Sequence, residues 1–167
     1  SVSSRKILFF KIKTFIETGT FLGEMVLALQ EDCERIFSIE LSPALALRAK
    51  KFFSRWPHIS ILEGDSADVL PKLVSHITQP TLFWLDGHFS AGETARGSSV
   101  TPILEELNCI LVNLKTPYII LIDDARLFTG KDGYPTFSAV MEKVKQHLPF
   151  ATIEIYQDTI RVVNIPF

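Results

Sequence analysis

The chain has no excess of basic charge: 17 Lys and Arg stand against 19 Asp and Glu, for a formal charge of −2. A protein that holds nucleic acid by its phosphates needs a basic face. The densest basic stretch here, between Arg48 and Arg55, falls on a predicted helix, where a solvated face explains it. No nucleic-acid partner is expected. Cysteine is scarce as well: Cys33 and Cys109 are the 2 present, which excludes the disulfide-dense scaffold of small secreted domains. Both fall in or beside predicted helices and read as small buried thiols. No apolar run approaches the roughly 20 residues that cross a bilayer, and Ile7-Leu-Phe-Phe10 is too short for a signal-peptide core. The expectation is a soluble, cytoplasmic protein with no membrane partner.

What is abundant is apolar surface. Of 167 residues 47% are hydrophobic and 13 are Phe, which excludes disorder and predicts a single domain over residues 1–167 with a sizeable core. Short apolar runs repeatedly end on an acid: Thr14-Phe-Ile-Glu17, Ile36-Phe-Ser-Ile-Glu40, Ile59-Ser-Ile-Leu-Glu-Gly-Asp65, Leu82-Phe-Trp-Leu-Asp86 and Tyr118-Ile-Ile-Leu-Ile-Asp-Asp124. Runs apolar at nearly every position read as strands buried on both faces, which belong to parallel sheets covered by helices. In such a sheet the ligand crevice lies outside the carboxyl ends of the strands. A row of carboxylates along that edge suits a ligand rich in hydroxyls and amines, a cation, or both.

The spacing predicts strands over 14–17, 36–40, 59–62, 81–85 and 118–122. Helices are predicted over 22–30, from Pro43 to 53, from Asp65 or Ser66 to 75, from Pro102 to 114, and over 137–147. Ser42-Pro43 and Thr101-Pro102 each pair a capping side chain with proline at the first helical position. Stretches 90–99 and 130–133 read as loops. Strands over 151–156 and 159–165 are separated by Gln157-Asp158 alone, too little for a parallel crossover, so they form an antiparallel hairpin.

Glu17-Thr-Gly-Thr-Phe-Leu-Gly23 opens the chemistry. A strand that turns directly into a helix needs Gly19 for unusual backbone angles and close ligand approach, and Thr20 and Gly23 continue the turn. A plain connection is the alternative reading. Glu40, about twenty residues beyond the glycine loop, is placed to accept from ribose hydroxyls. Asp65-Ser66 is either an ordinary helix cap or a contact to an adenine edge.

These features, with five β-α units and a terminal hairpin, resemble the class I S-adenosylmethionine-dependent methyltransferases over almost the whole chain, from Thr14 to Ile165. Within them the chain looks most like the macrocin and aminocoumarin-sugar type of small-molecule O-methyltransferase, where Asp-Gly-X ends strand four and Asp-Asp ends strand five. The resemblance implies a Rossmann-like, doubly wound, mostly parallel sheet of seven strands with helices on both faces. It also implies S-adenosylmethionine as cofactor and a small-molecule or sugar acceptor. The Gly19 backbone would meet the cofactor's methionine portion, Glu40 its ribose, and Asp65 and Ser66 its adenine, with Glu17, Thr20, Gly23 and Asp86 also in the cofactor site. Phe21 departs from the family's acid-X-Gly-X-Gly-X-Gly pattern at the middle glycine.

Asp86-Gly-His88 and Asp123-Asp124 form a second constellation. Adjacent strands four and five would bring Asp86, Asp123 and Asp124 together, and like charges so close need a neutralising cation. Oxygen ligands alone suit Mg2+, which would hold a substrate hydroxyl and lower its pKa. Otherwise these acids satisfy loops. His88, with Asp86, is the candidate catalytic base, the alternative being a ring packed on Phe89. His58, His76 and His147 read as structural or surface residues, and Arg96 and Tyr134 as candidate substrate contacts.

A NAD-dependent dehydrogenase or epimerase is the rival enzyme reading, but its Gly-X-Gly-X-X-Gly fingerprint does not fit Gly19 to Gly23. A non-catalytic cofactor-binding domain is the third. Both a homo-oligomer and a monomer are compatible with the sequence.

Overall fold

The computed structural model describes residues 11–86 and 101–164. Strands β1 (Thr14–Thr18), β2 (Arg35–Glu40), β3 (Ile59–Glu63), β4 (Thr81–Leu85) and β5 (Tyr118–Ile122) run parallel. The closing strands β6 (Thr152–Tyr156) and β7 (Thr159–Asn164) form the antiparallel hairpin, with β7 paired to β5. The sheet order is β3-β2-β1-β4-β5-β7-β6. Gln157 and Asp158 have φ of 47° and 62°, the left-handed pair that a two-residue hairpin turn uses to match strand twist.

Every residue of β1 and β5 is buried because helices cover both faces. Helices α1 (Glu24–Leu29) and α2 (Pro43–Phe52) supply Val26, Leu29, Ala46 and Ala49 to a core with Phe15, Ile36, Leu82, Ile119 and Leu121. On the other face lie α3 (Ser66–Val74), α4 (Ile103–Asn113) and α5 (Phe137–His147). Their Leu70, Val74, Ile103, Leu107, Ile110, Val140 and Val144 pack on Ile16, Ile39, Phe83, Ile120 and Ile122. Strand residues thus alternate between the two cores, as the pleat requires.

The capping signals act as their chemistry predicts. Ser42 Oγ accepts from Leu45 N ahead of Pro43, Asp65 Oδ1 accepts from Ala67 N at 2.9 Å, and Thr136 Oγ1 accepts from Ala139 N at 3.1 Å. Two local features differ from the sequence reading. Helix α1 begins at Glu24 rather than at 22, because Gly23 adopts φ 78° and its N–H closes a turn onto Thr20 O at 2.7 Å. After β5 the chain makes a short 3-10 turn, Ala125–Leu127, which no residue pattern signals.

Leu107 is fully buried in the larger core while Leu47 is 53% exposed. Leu107→Ala should therefore cost about 2–5 kcal/mol of unfolding free energy, and Leu47→Ala no more than about 0.5 kcal/mol. Urea unfolding of both variants checks this. Similar losses at the two positions would contradict the packing described here.

Candidate functional site

The chain turns left from β1 through β2 to β3 and right from β4 to β5, so neighbouring β1 and β4 form the topological switch point where such sheets open a crevice. Residues beyond the strand ends are held by prolonging the backbone ladder. Gly19 N donates to Ile39 O (2.9 Å), Gly64 N to Glu40 O (2.9 Å), Asp86 N to Thr18 O (3.4 Å) and Asp123 N to Leu85 O (3.0 Å). The site thus inherits the sheet's rigidity. At its centre Gly19, φ 87°, lies so close to Asp86 that a Cβ there would stand 3.0 Å from Asp86 Oδ2. Gly23 is equally constrained, since a Cβ would meet the Phe53 ring at 2.7 Å.

On the α1/α2 face, the alternation that buries Phe15 and Ile36 also places Glu17, Ser38 and Glu40. Ser38 Oγ donates to Glu17 Oε1 and shares a hydrogen bond with Thr20 Oγ1. Burial pushes the Glu17 carboxyl up to about 8, the negative charges of Asp86 and Glu40 add to the rise, and the Ser38 hydrogen bond opposes it. Glu40 is also buried, and its oxygens accept from Phe21 N and Ser42 N, both at 2.9 Å. A carboxylate oxygen has two acceptor positions, so Glu40 retains capacity for a hydroxyl. Phe21 takes φ 45°, the left-handed region that glycine would enter freely.

The opposite face holds a residue the sequence reading did not single out. Glu106, in the first turn of α4, is 2% exposed. Thr18 Oγ1 donates to its Oε2 at 3.3 Å, while the buried Oε1 has no hydrogen-bond partner among the described residues. Burial raises its carboxyl to about 7; hydrogen bonds from Ser66 and Thr18 oppose the rise, and the charges of Asp65 and Asp86 reinforce it. A signal existed: Ile103, Leu107 and Ile110 mark the buried stripe of this helix, and Glu106 falls within that stripe.

Beyond β4 and β5, Asp86, Asp123 and Asp124 converge, with one oxygen from each lying within 4.8 Å of the others. Asp123 Oδ1 accepts from Asp124 N at 2.9 Å, and Asp124 Oδ1 pairs with Arg126 Nη1 at 2.6 Å. The oxygen-only donor set fits a hard divalent cation, although such an ion would share Asp124 with Arg126.

Other predicted positions separate clearly. His88 and Arg96 lie outside the described residues, as does the 90–99 loop. Tyr134 packs edge-on against Phe128, with ring centroids 5.8 Å apart. His58 bonds the Gln30 carbonyl, and His76 and His147 bond carbonyls one helical turn back, all structural roles. Cys33 is a buried free thiol and Cys109 a half-buried one. Among the described residues no helix is long and apolar enough to cross a membrane.

The sheet order is that of a Rossmann-like fold, and solved structures of methyltransferases share it. The chain superposes on SMU.1697c, a candidate methyltransferase from Streptococcus mutans in complex with SAH (S-adenosylhomocysteine). That match has a TM-score of 0.65 and 13% identity and covers 96% of this chain and 93% of the other. A candidate caffeoyl-CoA O-methyltransferase from Staphylococcus aureus matches with a TM-score of 0.62 and 15% identity, over 96% and 80% of the two chains. The 23S rRNA methyltransferase ErmE matches with a TM-score of 0.62 and 15% identity over 97% of this chain, which spans only 66% of the ErmE chain. No protein-family model and no curated protein sequence matches the chain.

The raised carboxyls make stability depend on pH. Both lie above their ordinary value of 4.5, so the folded state holds protons that the unfolded chain releases. Their contribution is complete below about pH 4.5 and is lost as pH rises through about 7 for Glu106 and about 8 for Glu17. Unfolding free energy should fall by several kcal/mol between about pH 5 and about pH 8. Glu17→Gln should flatten the upper part of that decline. Denaturant titrations across the range test it, and an unchanged slope in the variant would refute the role given to Glu17.

Proposed function

We propose that this chain is an S-adenosylmethionine-dependent methyltransferase acting on a hydroxyl of a small molecule or sugar. The observation that carries the reading is the β1/β4 switch point, where Gly19 meets Asp86 and Glu40 stands at the adjoining strand end. When bound, the cofactor supplies a methyl carbon on a sulfonium, open to in-line attack by an oxygen nucleophile. Gly19 provides a surface without a side chain for its methionine portion, flanked by Glu17, Thr20 and Gly23. Glu40 is suited to accept from its ribose hydroxyls, and Asp65 and Ser66 stand toward its adenine. Asp86 adds negative charge beside the glycine turn, which favours a cationic ligand.

For the acceptor, His88 is assigned as the group that takes the hydroxyl proton, and positioning of the two reactants supplies much of the rate. Asp86, Asp123 and Asp124 would hold a Mg2+-like ion, which lowers the pKa of a hydroxyl bound to it. The O-methyltransferase description of the Staphylococcus aureus structure supports an oxygen acceptor, and the SAH complex of the Streptococcus mutans protein supports the cofactor.

Isothermal titration of S-adenosylhomocysteine, with Mg2+ and again with EDTA, tests the reading. Binding with Kd on the order of micromolar is expected. Glu40→Ala should weaken it about tenfold or more, the worth of a hydrogen bond to a charged acceptor. Tighter binding with Mg2+ would support the acidic cluster. No binding by the wild-type protein would overturn the cofactor assignment. Binding that survives His88→Ala together with loss of methyl transfer is the expected signature of a base.

A further inference from the structure

From the buried, unpartnered oxygen of Glu106 we infer that this residue reads the exocyclic amine of a purine, and so sets the site's preference for an adenosyl ligand. The inference rests on the cofactor reading above and extends it to a residue that neither the sequence pattern nor the structural matches assign.

The geometry divides the crevice between the two faces of the sheet. Glu17 and Glu40 belong to the α1/α2 side, where they follow Phe15 and Ile36 in the strand alternation. Thr18 follows Ile16 on the other side and donates to Glu106 Oε2 at 3.3 Å. Glu106 also lies within hydrogen-bonding range of Ser66, at the start of α3, and feels the charges of Asp65 and Asp86. It therefore lies between the strand-end acids and the α3 terminus, inside the proposed ligand crevice.

Among the described residues only Oε2 is used. Oε1 is buried without a partner, a costly arrangement worth about 1–3 kcal/mol or more, and one that a donor from a ligand would relieve. Asp65 Oδ1 accepts from Ala67 N and its carboxylate is solvent-exposed, whereas the unpartnered Glu106 oxygen is buried and has no water to turn to. A nucleoside cofactor whose ribose meets Glu40 has its base amine as the donor available to the opposite face. The cofactor's ammonium and ribose hydroxyls belong to its other parts. Among the described residues neither Lys nor Arg acts on Glu106.

A carboxylate facing a purine discriminates sharply. It accepts from a 6-amino group and opposes a 6-oxo group, acceptor against acceptor, and sites built on such a donor reject ligands that lack it. The test is calorimetric titration of S-adenosylhomocysteine and of its 6-oxo counterpart, S-inosylhomocysteine, at about pH 8, where Glu106 is mostly charged. The wild-type protein should bind the adenosyl form about tenfold or more tightly than the inosyl form. Glu106→Gln, whose amide can turn to donate, should bind the adenosyl form more weakly and bring the ratio close to one.

If the glutamine variant does not fold, Glu106→Met keeps the volume without a buried polar atom. It too must lose the discrimination. A folded variant that keeps the wild-type ratio within about twofold would overturn the assignment of Glu106 while leaving the cofactor reading intact. Failure of the wild-type protein to bind either ligand would remove both together.

Discussion

The site depends on the approach of two strand ends, where Gly19 and Asp86 stand so close that a Cβ at position 19 would press on the Asp86 side chain. A side chain at position 19 would stand 3.0 Å from Asp86 Oδ2 on a backbone already at φ 87°, so strain and collision oppose every residue but glycine there. The contact exists because the parallel ladder runs past its strands: Gly19 is tied to Ile39 and Asp86 to Thr18 by backbone hydrogen bonds. Moving either residue would require moving β1 against its neighbours, and those neighbours are buried on both faces. Rigid elements position a binding site more closely than free loops do. Here the sheet itself performs that role.

Phe21 shows how far the local geometry dominates residue type. Its φ of 45° costs about 1 kcal/mol or more for a residue with a side chain. Its N–H, however, donates to the buried Glu40 carboxylate at 2.9 Å, and a hydrogen bond to a charged group contributes about 1.5–3 kcal/mol. The second term is large enough to offset the first. The turn therefore keeps the path expected of a glycine-rich loop although one glycine is missing, and Glu40 is held in place by the same bond.

Much of this was legible because the strands are buried on both faces. Residues 82–85 and 118–122 are apolar throughout, and the structure sets β4 at 81–85 and β5 at 118–122, as the pattern predicts. Ser42 before Pro43, and the two-residue spacer Gln157-Asp158, state a helix start and a hairpin in local chemistry alone. Glu106 was missed because an acid in a helix is ordinarily solvated, and only the packing of α4 against α3 and the sheet turns its face inward. Position 23 was misread for the opposite reason. Gly23 fits a helix by sequence, but its left-handed backbone delays the helix until Glu24. Acids at strand ends were visible as a set; their division between the two sheet faces required the register.

That division explains the charge the site has to manage. Glu17, Glu40, Asp65, Asp86 and Glu106 gather near the edge, and Asp124 is met by Arg126. The chain reduces the repulsion by burial, which favours the protonated forms of Glu17 and Glu106. The Arg126 pairing is itself built from the far end of the sheet. The Asp158 carboxylate receives both Arg126 N and the Arg126 guanidinium, and the Asp158 carbonyl accepts from Ala125 N at 2.7 Å. The β6–β7 turn thereby fixes the segment that carries Asp123 and Asp124. A hairpin that looks like a device for closing the sheet also holds two of the site's acids, so the antiparallel end of the fold and its parallel crevice form one mechanical unit.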